Sequence, residues 1–128
     1  MIEVIFYKDK SGSELAYEWL KEPSQSSFKK SIYARITMLR SQGISLLNNK
    51  RILEPISPRG HKEKRINGFY ELKHHGQEWR IALYHDIKRN IFVLFCGWKK
   101  TSSGSHQQGI NRAYSLMYEY LEVNGYGR

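Results

Sequence analysis

Three apolar runs decide the fold: Gly68-Phe69-Tyr70-Glu71-Leu72-Lys73, Trp79-Arg80-Ile81-Ala82-Leu83-Tyr84, and Ile91-Phe92-Val93-Leu94-Phe95-Cys96-Gly97-Trp98-Lys99-Lys100-Thr101. Their β-branched and aromatic content predicts strands near 67–75, 78–86 and 90–97. Gly76-Gln77 and Ile87-Lys88-Arg89 are short enough for hairpin connections, so neighbouring strands run antiparallel. Each run carries a cation within it or at its end. The last is apolar at almost every position, the pattern of a central strand covered on both faces.

Residues 2–7 read as a further strand, followed by a turn at Lys8-Asp9-Lys10-Ser11-Gly12. Ser13 caps an expected helix at Glu14–Glu22, which Pro23 stops. A second helix is predicted over 26–42. Phe28, Ile32, Ile36 and Leu39 recur at helical spacing there, and Gly43 is suited to cap its end. Residues 44–66 are too apolar for a free linker, and a packed connection with one helical turn is expected. A last helix, His106–Glu122, is capped by Ser105 and buries Ile110, Ala113, Tyr114, Met117 and Leu121, with Gly109 weakening its first turn. The tail from Asn124 is expected to fray. The order β-α-α-β-β-β-α defines an α+β fold: a small, antiparallel-rich sheet with a helical hairpin on one face and a C-terminal helix. At 128 residues one domain spanning 1–128 is expected.

The charge narrows the function. There are 21 Lys and Arg against 12 Asp and Glu, a net +9, which points to an anionic partner, of which nucleic acid is the commonest. Cys96 is the only cysteine, which excludes an internal disulfide. It sits in an apolar run as a small buried thiol. The first residues lack the features of a signal peptide, and no apolar run approaches the ~20 residues of a membrane span. A soluble, cytoplasmic protein is expected.

Strand alternation puts Tyr70, Leu72, Trp79, Ile81 and Leu83 on one face. Glu71, Lys73, Arg80 and Tyr84 fall on the other, expected to be open, with Lys99 and Lys100 beside them. Cations of this kind bind a phosphate and offset the charge of in-line attack by a neighbouring 2′-hydroxyl. Glu71 or Tyr84 is placed to move a proton, and Tyr84 and Trp98 to stack on splayed bases. Lys62, Lys64 and Arg65, in the densest basic run, are candidate RNA contacts. A cross-strand Arg80–Glu71 ion pair and a solvated basic loop account for the same residues without a ligand. His74 and His75 are adjacent and cannot share one metal on a strand, and His85 is a candidate to approach one of them across the hairpin. One of the three is a candidate general acid or base. No metal motif is apparent.

These runs resemble the core of the RelE/ParE superfamily: Gly68–Lys73, then Trp79-Arg80 with Tyr84. Ile91–Leu94 with Gly97-Trp98-Lys99-Lys100-Thr101 is similar to the ending of its phage-derived HigB-like branch, as is Phe6–Gly12 before a short helix. The likeness runs from about residue 2 to 122. It implies a toxin of a type II toxin–antitoxin module, a ribosome-dependent mRNA endoribonuclease acting without metal or other cofactor. It also implies a helix-turn-helix antitoxin of the HigA-like kind as partner, with operator DNA reached only through that antitoxin. By the resemblance, Arg80 contacts the scissile phosphate, Lys73 is a basic position on the preceding strand, Lys99 and Lys100 are the basic pair after the last strand, and Glu71 occupies a position usually Glu. Ser102-Ser103-Gly104-Ser105 departs from the family pattern, and the chain lacks the C-terminal histidine arrangement of some HigB enzymes. Two other readings are a ParE-like inhibitor of DNA gyrase and a non-catalytic nucleic-acid-binding module.

Overall fold

In the computed structural model, which describes residues 2–58 and 67–126, the most apolar run forms an interior strand, paired on both sides. The elements are β1 (Glu3–Phe6), α1 (Leu15–Lys21), α2 (Lys29–Gln42), β2 (Leu53–Pro55), β3 (Phe69–Lys73), β4 (Trp79–Asp86), β5 (Ile91–Lys99) and α3 (Ser103–Val123). Short 3₁₀ turns at Pro23–Gln25 and Gly43–Asn48 precede and follow α2. The sheet order is β1-β5-β4-β3-β2, with β1 parallel to β5 and the other pairs antiparallel. The protein is thus α+β, with a five-stranded mixed sheet and three helices.

The sheet has one strand more than expected. β2 forms within the connection after α2, where buried Ile52 and Leu53 draw the chain onto β3. Pro55, which has no amide hydrogen to give a ladder, is tolerated because β2 is the outer strand. The expected helical turn of this connection is the 3₁₀ turn at Gly43–Asn48. Gly43 caps α2 with φ 59°, and its amide bonds the Leu39 carbonyl.

Both faces of the sheet are covered. Leu20 of α1 and Ile32, Ile36 and Leu39 of α2 pack with Leu72, Trp79, Ile81, Leu83, Phe92 and Leu94. On the opposite face Ile110, Ala113, Met117 and Tyr120 of α3 pack on Phe69, Ala82, Val93 and Phe95. The face expected to be open is therefore closed by α3 along most of its length. α3 starts earlier than expected. Ser102 is its N-cap, and Ser105 closes a capping box as the third helical residue, with Ser105 N–H donating to Ser102 Oγ at 3.0 Å and Ser102 N–H to Ser105 Oγ at 3.1 Å. α1 has no side-chain cap. Asp9 Oδ1 instead accepts the amides of Ser11 and Ser13, both at 2.9 Å, and holds the preceding turn.

A bulge sets the orientation of the last basic residues. Ala82 pairs with Cys96 and Leu83 with Leu94, which leaves Phe95 unpaired. The extra residue reverses the alternation beyond it. Trp98 consequently faces α3 and Lys99 faces the α1–α2 side. The approach of Trp98 to α3 requires glycine: a Cβ at Gly109 would lie 2.1 Å from Trp98 Cδ2. Gly109 is therefore a packing position, and its cost in helix propensity is offset by seating the indole.

A candidate phosphate-binding site at the start of β4

The site gathers where β3 ends, β4 begins and α3 starts. Glu71 on β3 lies between Glu54 of β2 and Ala82 of β4, and Lys73 pairs with Arg80. Glu71 is only 3 % exposed. Its Oε2 is 3.6 Å from Lys73 Nζ and 3.9 Å from Arg80 Nε, and its Oε1 is 3.6 Å from His106 Nε2. Lys73 is also held by Glu54 at 2.6 Å. Arg80 uses one terminal nitrogen to donate to the carbonyls of Gln77 at 2.9 Å and Trp79 at 2.7 Å. Among the described residues, Glu71 Oε1 and Arg80 Nε have no hydrogen-bond partner. Arg80 and Lys100 also line an open cleft of about 470 Å³, together with Phe28, His75, Gly76, Gln77 and Glu78.

His106 was not among the candidates named from sequence. It projects from the first turn of α3, four residues before buried Ile110 and seven before Ala113. That i, i+4, i+7 spacing, on a helix folding back from β5, was the available signal. Its Nδ1 accepts the indole N–H of Trp98 at 3.2 Å, so in the neutral ring the proton sits on Nε2, facing Glu71. Burial, together with the positive field of Lys100, Arg80 and Lys73, lowers its pKa to about 4. Burial raises the Glu71 pKa despite the nearby Lys73 and Arg80. The pair is thus a neutral imidazole beside a carboxyl group whose ionisation is disfavoured, with the cations arranged around both.

Of the residues proposed from sequence, Glu71, Lys73, Arg80 and Lys100 converge here. Trp98 also belongs to the site, but it is 9 % exposed and orients His106 rather than offering a stacking surface. Lys99 does not join the site. The bulge sends it to the other face, where Nζ donates to the Ser24 carbonyl at 3.1 Å and lies 5.5 Å from the Phe28 ring centroid. Tyr84 is also separate: four residues along β4 from Arg80, about 13 Å at the usual strand rise, it packs near Tyr120. Lys62, Lys64 and Arg65 lie outside the described residues. His74 and His75 stack together at the β3–β4 turn, whereas His85 stacks on Phe92 near the far end of β4. The approach of His85 to the other two therefore does not occur: its amide bonds Gly68, at the opposite end of the hairpin.

Burial raises the Cys96 thiol pKa to about 12, so it is a packed thiol rather than a nucleophile. Among the described residues no group of three or more His, Cys, Asp or Glu side chains is placed to hold a metal ion, and no helix is long and apolar enough to cross a membrane. No protein-family model matches the chain, and no curated protein matches it in sequence.

Proposed function

We propose that the chain is the toxin of a type II toxin–antitoxin module, a RelE/HigB-like endoribonuclease that cuts mRNA on the ribosome in the cytoplasm and is neutralised by a helix-turn-helix antitoxin. The observation that carries this reading is the gathering of Lys73, Arg80 and Lys100 around the buried Glu71–His106 pair, with Arg80 and Lys100 lining an open cleft. In this reading Arg80 and Lys100 bind the scissile phosphodiester. The cations stabilise the charge that gathers on its oxygens as the 2′-oxygen bonds to phosphorus and the P–O5′ bond breaks. The products are a 2′,3′-cyclic phosphate and a 5′-hydroxyl. The proton lost from the 2′-hydroxyl and the one gained by the 5′-oxygen balance. Proton transfer falls to Glu71 and His106, whose Nε2–H faces an otherwise unpartnered carboxyl oxygen.

A bound phosphodiester anion would cancel part of the positive field that depresses the His106 pKa. Substrate binding and the protonation of this pair are therefore coupled. The engagement of Lys73 by Glu54, and of Lys99 by the Ser24 carbonyl, favours a second reading, a nucleic-acid-binding module without catalysis.

The test is to induce the protein in bacteria and map new 5′ ends on translated mRNA. Cuts within translated codons that vanish in Arg80→Ala are expected. Inhibition of DNA gyrase with intact mRNA would overturn the reading in favour of a ParE-like activity, and RNA binding without cuts would favour the second reading.

A further inference from the structure

A second cleft, also of about 470 Å³, lies between α2 and the β3–β4 turn, on the other side of Gln77 from the Arg80 cleft. Its chemistry is one-sided. Ser27, Lys30, Ser31, Arg35, His74 and Gln77 line it, and none of its described lining residues carries a carboxylate. Trp79 organises the floor: its indole N–H donates to Gln77 Oε1 at 2.8 Å and to Ser31 Oγ at 3.3 Å. The NH₂ end of Gln77 and the hydroxyl hydrogen of Ser31 are thereby the groups left to donate. His74 Nδ1 accepts the Gly76 amide at 3.2 Å, which puts the proton of the neutral ring on Nε2. Arg35 donates to the thioether of Met38 at 3.3 Å, and among the described residues its buried Nε has no hydrogen-bond partner. A guanidinium with an unmatched N–H, sharing a cleft with a lysine and several neutral donors, suits an oxyanion with several acceptor oxygens.

We propose that this cleft is a second phosphodiester subsite, holding the phosphate of the same single-stranded RNA that neighbours the one bound at Arg80 and Lys100. The inference rests on the reading of the Arg80 cleft as an RNA phosphate site. It goes further in giving the strand a direction of travel across the β3–β4 turn onto α2. Gln77, shared by both clefts, sits at the crossing. The donors contact only the backbone, so the subsite adds affinity and register without reading base identity.

The experiment measures binding of a fully 2′-deoxy-substituted, uncleavable single-stranded oligonucleotide by fluorescence anisotropy across a salt series. Wild type is compared with Lys30→Gln/Arg35→Gln and with Arg80→Gln. Each lost phosphate contact flattens the plot of log K against log salt by about 0.7. The double variant and Arg80→Gln are each expected to show that loss, and their combination to show about twice as much. An unchanged slope in the double variant, with Arg80→Gln still flattened, overturns the subsite alone. An unchanged slope in Arg80→Gln overturns the underlying site. Inorganic phosphate is the second probe. If it shifts the His74 NMR resonances while the oligonucleotide slope stays at its wild-type value in the double variant, the cleft takes a free oxyanion and the RNA assignment falls. Should the double variant melt early, Lys30→Gln alone, at an exposed position, carries the test with the same sign.

Discussion

Glu71 and Asp86 are both buried carboxyl groups on adjacent central strands, at 3 % and 1 % exposure, and their surroundings differ in kind. Asp86, at the far end of β4, accepts Tyr120 Oη at 2.6 Å, Tyr126 Oη at 2.9 and 2.8 Å, and the Arg89 amide at 3.2 Å. Burial pushes its pKa up, but the hydrogen bonds from Tyr120, Tyr126 and the Arg89 amide, with the Arg89 charge, together outweigh this and hold it below the ordinary value. Glu71 has cations nearby but no such bonds, and burial prevails. A carboxylate supplied with fixed donors is a structural tie; here it fastens the C-terminal tail, expected to fray, onto the sheet through Tyr126. One surrounded by cations and a neutral imidazole, with an unmatched oxygen, has no such tie, and in the proposed reading it moves a proton.

Five substitutions sharpen the contrast. The largest effect is expected for Arg80→Ala, which removes a donor to the charge that builds up on the phosphate. Single-turnover cleavage of ribosome-bound mRNA should fall by about 10²–10³-fold, with the melting temperature little changed. Asp86→Ala should do the reverse. Leaving the two tyrosine hydroxyls without their acceptor should cost about 2–4 kcal/mol in urea denaturation, while cleavage per folded molecule stays at the wild-type level. Gly109→Ala forces Trp98 off α3, since the new Cβ would stand 2.1 Å from the indole. About 1–3 kcal/mol of stability should be lost, together with part of the activity as His106 loses its partner.

The smallest effect on stability, and the sharpest for the comparison, belongs to Glu71→Gln. The folded-state pKa of Glu71 is raised, so its ionisation opposes folding as pH climbs from the unfolded carboxyl value through the folded one. The Gln variant should therefore match wild type in stability at pH 7 within about 1 kcal/mol, or exceed it, while losing cleavage. The Asp86 pKa is lowered, so its contribution is present above the unfolded carboxyl pKa and disappears as pH falls through the folded value. Urea melts of Glu71→Gln and Asp86→Asn between pH 3 and 7 should thus deviate from wild type in opposite directions.

The strands and helices were legible because their apolar periods are strong. β3, β4 and β5 lie where Phe69–Lys73, Trp79–Asp86 and Ile91–Lys99 alternate or run apolar, and α2 where Ile32, Ile36 and Leu39 recur. Strand parity brought Glu71, Lys73 and Arg80 together correctly. The expectation that Lys99 lies beside them failed because a single unpaired residue, Phe95, inverts the facing of the strand after it, and nothing local to Phe95 announces a bulge. Parity failed for Tyr84 because sharing a face does not mean sharing an end of the strand. β2 was missed because three residues give too short a pattern to read. Ser102–Ser105 looked like a loss relative to the family pattern. Instead it forms the capping box that starts α3 and positions His106 over Glu71.

His106 offers the most direct test of the central claim, that the start of β4 holds an RNA phosphate against a proton-transferring pair. Its imidazole can be titrated by NMR in the free protein and with an uncleavable 2′-deoxy dinucleotide bound. A pKa near 4 in the free protein is expected, rising by a unit or more when the phosphate cancels the field of Lys100 and Arg80, with no such rise in Arg80→Ala. A free-protein value near that of ordinary histidine, or one that does not move when the dinucleotide binds, would contradict it.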